Sequence, residues 1–234
     1  MRIGGLQKTT LIDYPGRLAA TLFLTGCNFR CPFCYSSELV LPDRIKKQPR
    51  LAEDEFFAFL KERKGFLEGV VICGGEPTIN KDLPPFIAKI KDMGFLVKLD
   101  TNGSNPKMLR DLIEDQQIDY VAMDIKVPKE KYVELVAEKA LGNIADKIED
   151  SIHILKDSNI EFEFRTTLVP GLLDKEEILK IVHWIRPAPK YFLQNYRGEK
   201  TVDPKFSCLK PYPEEYLLDI RKTIAPFFEV CRVR

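Results

Sequence analysis

Apolar, β-branched runs alternate with amphipathic segments along almost the whole chain. That is the pattern of repeated strand and helix units around a parallel sheet, and it sets the class as α/β. Strands are predicted at Leu18–Gly26, Gly69–Gly75, Phe95–Gly103, Tyr120–Lys126, Glu161–Val169, Tyr191–Tyr196 and Phe227–Val233, where β-branched and aromatic residues gather. Helices are predicted between them, over 52–65, 82–94, 106–117, 143–158, 174–186 and 213–224. Gly65 and Gly94 close two of these, and Pro106 behind Ser104 and Asn105 opens a third. Neither a repeat nor a low-complexity linker interrupts the series. Six strand-helix steps, with room for a seventh strand, predict a partial (β/α)6 TIM-like barrel. It fills 1–234 as one domain, with a short N-terminal segment (1–17) and a C-terminal strand (about 226–234) as extensions.

In such sheets the polar, glycine-rich residues that do chemistry collect at the carboxyl ends of the strands. The first predicted strand runs into a cysteine cluster, the second into "CGGEP", the third into "DTNG", the fourth into "MDIK", the fifth into "RTTLVPG" and the sixth into "LQNYRG". All can face one cavity.

Composition narrows the classes. Lys plus Arg number 36 and Asp plus Glu 35, a formal charge of +1 over 234 residues, with neither sign gathered into a block. Non-specific nucleic-acid binding and a polybasic membrane patch are therefore not favoured. The longest apolar stretch, "LAATLFLTG", is too short to cross a bilayer, and "MRIGGLQKTT" lacks the apolar core of a signal peptide. A cytoplasmic protein is expected. Six cysteines, three in one motif and the others scattered at Cys73, Cys208 and Cys231, suit a reducing compartment better than a disulfide framework. Cys208 and Cys231 are left unpaired.

The motif is "GCNFRCPFCY", in which Cys27, Cys31 and Cys34 follow C-x3-C-x2-C. Zinc and iron-sulfur clusters both normally take four protein ligands, and three are offered. A structural zinc knot would need further ligands, yet the only histidines, His153 and His183, fall in helical segments, and no second C-x2-C pair exists. A cubane on three thiolates instead leaves one iron open for a small molecule.

These residues resemble the signature of the radical S-adenosylmethionine (radical SAM) superfamily, with Phe33 at its aromatic position and Tyr35 following the third cysteine. The resemblance implies a barrel of the radical SAM type and a [4Fe-4S] cluster whose fourth iron is chelated by S-adenosylmethionine. It also implies reductive cleavage of the sulfonium to a 5′-deoxyadenosyl radical that abstracts hydrogen. "CGGEPT" matches the superfamily's motif for the methionine amino group: Gly74 and Gly75 let the backbone bend and approach a ligand, and Glu76 offers an ammonium partner. "LDTNG" matches a cofactor-lining segment of glycyl-radical activating enzymes, bringing in Asp100, Thr101 and Asn102. In that family Asp100 and Asp124 can bind a monovalent cation, two hard oxygen donors at adjacent strand ends. Lys126 and Arg165 match strand-end positions facing cofactor or substrate. Read plainly, Lys126 is a solvated strand residue and Arg165 an ion-pair partner of Glu161 or Glu163. Cys73 reads as a buried strand-end residue rather than a ligand.

The narrower resemblance, over nearly the whole chain, is to the activating proteins of anaerobic ribonucleoside-triphosphate reductase, and more loosely to pyruvate formate-lyase activating enzyme. Its implications are a glycyl radical enzyme as partner, from whose backbone glycine hydrogen is abstracted, and a low-potential donor such as flavodoxin or ferredoxin. About forty residues separate Cys34 from Gly74, too few for a ferredoxin-like insert. Tyr35 and Tyr196 stand where relatives carry histidine, which bears on how substrate is positioned. A radical enzyme acting on a small molecule or peptide, and a non-catalytic zinc-stabilised binding module, are the alternatives.

Overall fold

The computed structural model describes residues 1–135 and 143–234. Its elements run β1 (Ile3–Thr10), β2 (Ala19–Leu24), α1 (Ser37–Val40), α2 (Pro42–Ile45), α3 (Glu53–Glu62), β3 (Gly69–Gly74), α4 (Leu83–Asp92), β4 (Leu96–Thr101), α5 (Pro106–Glu114) and β5 (Tyr120–Asp124). Then follow α6 (Ile144–Asp157), β6 (Glu161–Leu168), α7 (Lys175–Ile185), β7 (Ala188–Asn195), α8 (Pro204–Ser207), α9 (Glu214–Ile224) and β8 (Phe228–Val233). The strands form one sheet in sequential order, β1 to β8. From β2 to β8 every neighbouring pair is parallel, as repeated crossovers require. This is the expected partial TIM-like barrel, with β8 as its seventh parallel strand.

The N-terminal segment is more than an extension. It contributes β1, antiparallel to β2, with register shifts between Ile3 and Gly5 and between Gln7 and Thr10. Its sequence, IGGLQKTT, hid this, because two glycines and a run of polar residues break the alternation that marks a strand. β7 likewise starts at Ala188 rather than Tyr191. Pro189 there lies before the first pairing with β6, at Tyr191, so its missing N–H costs no bond on that side.

Alternation along the parallel strands sorts two faces. Val70, Ile72, Val97, Leu99, Val121, Met123, Phe162 and Phe164 join one large core with the buried residues of the helices. The opposite positions face inward. Val71 and Tyr120 pack there with Tyr14 and Ala19, beside the half-buried Cys73. Lys98, Asp100, Asp124, Glu163 and Arg165 share that inner phase, so the barrel lining becomes charged toward the carboxyl edge. Helix ends follow the local chemistry. Asn105 accepts from Met108 N–H (3.3 Å) ahead of Pro106, and Gly65 and Gly94 hold φ of +85° and +90°. Among the described residues no helix is long and apolar enough to cross a membrane.

Candidate active site

The cysteines lie on the loop after β2, and the loop is held at several points. Gly26 N–H donates to Leu39 O (2.7 Å), Cys34 N–H to Cys31 O (3.0 Å), and the Arg30 guanidinium to Cys27 O and Phe29 O (both 2.7 Å). From far along the chain, Val202 N–H donates to Cys34 O (3.0 Å) and Asp203 N–H to Pro32 O (2.9 Å). Phe29 and Phe33 are sunk in the core beneath it. Phe33, expected against the cofactor, is thus an anchor of the loop. Tyr35 is the reverse case, 58 % exposed at the mouth, in the field of Asp124, Lys126, Arg165 and Arg197.

All six cysteines are free. Burial pushes the Cys27 thiol up to about 11 and Cys31 up to about 12, and raises Cys34, while the Lys126 ammonium pulls all three back down. Such thiols stay protonated until a metal supplies positive charge. Among the described residues no three His, Cys, Asp or Glu side chains converge on one ion position. A cubane asks for no such point, since its thiolates bind separate irons at separate corners. Three free, at least partly buried thiols on one loop, in the field of the Lys126 ammonium, fit that demand better than a single zinc ion.

Gly74 and Gly75 approach protein rather than open space. A Cβ on Gly74, which holds φ of +114°, would fall 2.3 Å from Leu24 O, and one on Gly75 would fall 1.8 Å from Gly26 O. Gly75 N–H and Glu76 N–H donate to those same carbonyls (both 2.8 Å), zipping the end of β3 to the root of the cysteine loop. Glu76 is 1 % exposed. Its Oε1 accepts from Thr78 N–H (3.1 Å), the Thr78 hydroxyl (2.6 Å) and the Thr101 hydroxyl (2.7 Å), and its Oε2 from Asn102 N–H (2.6 Å). Burial raises its carboxyl pKa and those four donors oppose the rise. Asn102 then reaches the cysteine loop. Its Nδ2 donates to Asn28 Oδ1 (3.0 Å), Asn28 Nδ2 donates to the Ser104 hydroxyl (2.7 Å), and Ser104 N–H donates to Asn102 Oδ1 (2.9 Å). Asn28 was not among the expected site residues; the one signal was a neutral amide inside the cysteine motif.

Asp100, Asp124, Lys126 and Arg165 do come together. Arg165 Nη1 donates to Asp100 Oδ2 and its Nε to Asp124 Oδ1, both at 2.8 Å. Lys126 Nζ donates to Asp124 Oδ2 (2.9 Å), and Lys98, buried and unforeseen, pairs with Asp100 Oδ1. Charges therefore alternate Lys98, Asp100, Arg165, Asp124, Lys126. Neither plain expectation for the cations holds, because Lys126 is held rather than solvated and Arg165 pairs with neither Glu161 nor Glu163. Glu163 bonds instead to Arg234 (2.8 Å) and the Tyr120 hydroxyl (2.9 Å). Burial disfavours the charge on Asp124, yet Arg165 and Lys126 hold its carboxyl well below the usual range. Burial likewise works against Lys126, and Asp124 with the cysteines raises it. Every oxygen of Asp100 and Asp124 accepts from one cationic side chain and keeps a second lone pair.

Tyr196 is also placed differently from expectation. It is 2 % exposed, and its hydroxyl donates to Phe206 O (2.6 Å), which makes it a support for α8 rather than a group facing substrate. His153 and His183 sit in α6 and α7 as expected.

Residues 21–185 match the radical SAM superfamily. The fold is similar to that of a radical SAM methyltransferase from Sphaerobacter thermophilus, with a TM-score of 0.73 at 17 % identity, over 97 % of this chain and 68 % of that one. The chain belongs to the radical SAM superfamily, whose cofactors are a [4Fe-4S] cluster and S-adenosylmethionine. A Methanocaldococcus jannaschii protein assigned as a glycyl-radical enzyme activating enzyme is 37 % identical over 99 % of this chain and 95 % of its own length. The pyruvate formate-lyase-activating enzyme of Streptococcus mutans is 27 % identical over 79 % of the chain and 73 % of its own length. Within the superfamily, then, its family is that of the glycyl-radical enzyme activating enzymes.

Proposed function

We propose that this protein activates a glycyl radical enzyme, with an anaerobic ribonucleoside-triphosphate reductase as the partner and a flavodoxin- or ferredoxin-like protein as the electron donor. The observation that carries the reading is the whole-length likeness to an assigned activating enzyme, and the layout of the carboxyl edge supports it. The cofactor pair supplies one-electron cleavage of a carbon-sulfur bond and a hydrogen-abstracting carbon radical.

The chain's own residues hold and shield. Cys27, Cys31 and Cys34 are the thiolate donors for three irons. Gly74 and Gly75 let the end of β3 lie against the loop root, and Glu76 fixes Thr101 and Asn102 from below. With one lone pair of Oε2 unspent, Glu76 has one oxygen site left for an ammonium group. Lys126 and Arg165 turn spare N–H donors toward a carboxylate.

Tyr35 (58 % exposed), Ile79 (41 %) and Val133 (69 %) are exposed on the segments that follow β2, β3 and β5. Exposed apolar side chains of this kind suit contact with a protein segment. The test mixes reduced, reconstituted protein, S-adenosylmethionine and the reductase, and looks for a glycine-centred doublet by electron paramagnetic resonance. Cofactor cleavage with persistent silence at glycine rejects the partner.

A further inference from the structure

We propose that Asn28 is a positioning residue: its side-chain amide ties the cysteine loop to the turn after β4, so that the thiolate donors and the Glu76 carboxylate stand at one fixed spacing for S-adenosylmethionine. The inference rests on reading the carboxyl edge as the cofactor site. It starts from a donor with no alternative role. Ser104 N–H can only donate, and it donates to Asn102 Oδ1 (2.9 Å). Asn102 Nδ2 must then face Asn28, whose Oδ1 accepts from it at 3.0 Å, and this turns Asn28 Nδ2 onto the Ser104 hydroxyl oxygen at 2.7 Å. One backbone amide thus fixes the orientation of both side-chain amides and closes a ring. A carboxylate at position 28 could only accept, and it would add negative charge beside the Cys27 thiol, which already lies in the field of Glu76.

The turn that Asn28 grips is itself held from several sides. Glu76 accepts from the Thr101 hydroxyl (2.7 Å) and Asn102 N–H (2.6 Å), the Ser151 hydroxyl on α6 donates to Gly103 O (2.7 Å), and Asn105 Nδ2 donates to Thr78 O (2.7 Å). Gly103, at φ of +74°, lies so close to β5 that a Cβ there would fall 2.1 Å from Met123 Cε. Asn102 and Ser104 are 5 % and 6 % exposed, so water competes poorly for their bonds. The cysteine loop is clamped elsewhere, at its root by Gly75 and Glu76 and on its far side by Val202 and Asp203. Among the described residues no other hydrogen bond joins residues 26–35 to the turn. Asn28 directly follows Cys27, so the tether acts on the first thiolate donor without being a ligand. A molecule that must reach both Glu76 and the metal held by the cysteines binds best when that spacing is set beforehand, because otherwise part of the interaction free energy goes into ordering it.

Asn28→Leu keeps the approximate size of the side chain and removes both hydrogen bonds. Anaerobically reconstituted wild type, Asn28→Leu, Ser104→Ala and the double variant are compared for iron content, melting temperature and equilibrium affinity for S-adenosylmethionine. The expected result is unchanged iron, since the three cysteines and the other clamps remain, with affinity about tenfold weaker in Asn28→Leu and about threefold weaker in Ser104→Ala. The double variant should stay within about twofold of Asn28→Leu, because both changes break one ring. Asn28→Leu that binds within about twofold of wild type at equal iron overturns the proposal, as do effects that simply add in the double variant. Iron lost in step with a lower melting temperature overturns it too, since Asn28 would then only support the fold. Should Asn28→Leu fail to fold, Ser104→Ala decides, and wild-type affinity there refutes the tether. Wild-type protein that binds no S-adenosylmethionine defeats the site reading and the proposal with it, an outcome distinct from binding that no variant weakens.

Discussion

Replacing Glu76 by Gln tests whether the buried carboxylate is what joins β3 to the segment after β4. The change is nearly isosteric and exchanges one acceptor oxygen for an NH2 donor. With the amide nitrogen on the Oε1 side, it faces Thr78 N–H; turned over, it faces Asn102 N–H. The threonine hydroxyls can rotate, but these two backbone donors cannot. One buried N–H is therefore stranded in either orientation, at a cost of about 1–3 kcal/mol. The surviving bonds also lose their charge assistance, and removing a desolvated charge returns part of that loss. A net destabilisation of about 2 kcal/mol follows, or roughly 4–8 °C in melting temperature for a chain of this size. Thr78→Val removes one hydroxyl donor and leaves Thr78 N–H in place, so it should cost about 1 kcal/mol. Urea unfolding of the anaerobically prepared proteins, followed by circular dichroism, measures both. A Glu76→Gln protein within ~0.5 kcal/mol of wild type would refute the account, because the carboxyl would then be protonated or its donors otherwise satisfied.

Gly75→Ala drives a Cβ to 1.8 Å from Gly26 O, so the root of the cysteine loop must move; iron bound after reconstitution should fall below half of wild type, and full iron with an unchanged melt would contradict the close-approach argument. Asp124 has a folded pKa depressed by Arg165 and Lys126. Its contribution is present above the unfolded value of about 4 and is lost as pH falls toward the folded one, so Asp124→Asn should flatten the acid limb of unfolding free energy below about pH 5. An acid limb equal to that of wild type would show that Asp124 is not held this way. Tyr132→Phe removes the hydroxyl that accepts from Lys126 N–H at 3.0 Å; it should cost about 1–3 kcal/mol in urea unfolding, and a loss under ~0.5 kcal/mol would mean that the amide finds another acceptor.

Much of the scaffold was legible in the chain because its signals are local. The runs at Gly69, Tyr120 and Glu161 begin strands at those same residues, since β-branched and apolar positions buried on a parallel sheet leave a continuous trace. The helix expected from Asn143 to Ser158 is observed at Ile144–Asp157, bounded by its own polar ends. Strand β1 escaped because pairing with β2, rather than any alternation of its own, makes it a strand.

At the site, sequence determined the chemistry on offer: three thiols at fixed spacing, a glycine pair with a carboxylate after β3, and acidic and basic residues at successive strand ends. Which of these would bond to which was decided only by the fold. Lys98, Asp100, Asp124 and Arg165 sit on three strands, with Lys126 just past the end of β5, and the packing of those strands makes Arg165 bridge the two aspartates. Glu76 turned inward onto Thr101 and Asn102 for the same reason, and Tyr196 was claimed by Phe206 O. Local sequence encodes backbone preference and burial, which act over a few residues. Pairing of buried charges depends on distances of a few ångströms between segments dozens of residues apart, and only packing sets those.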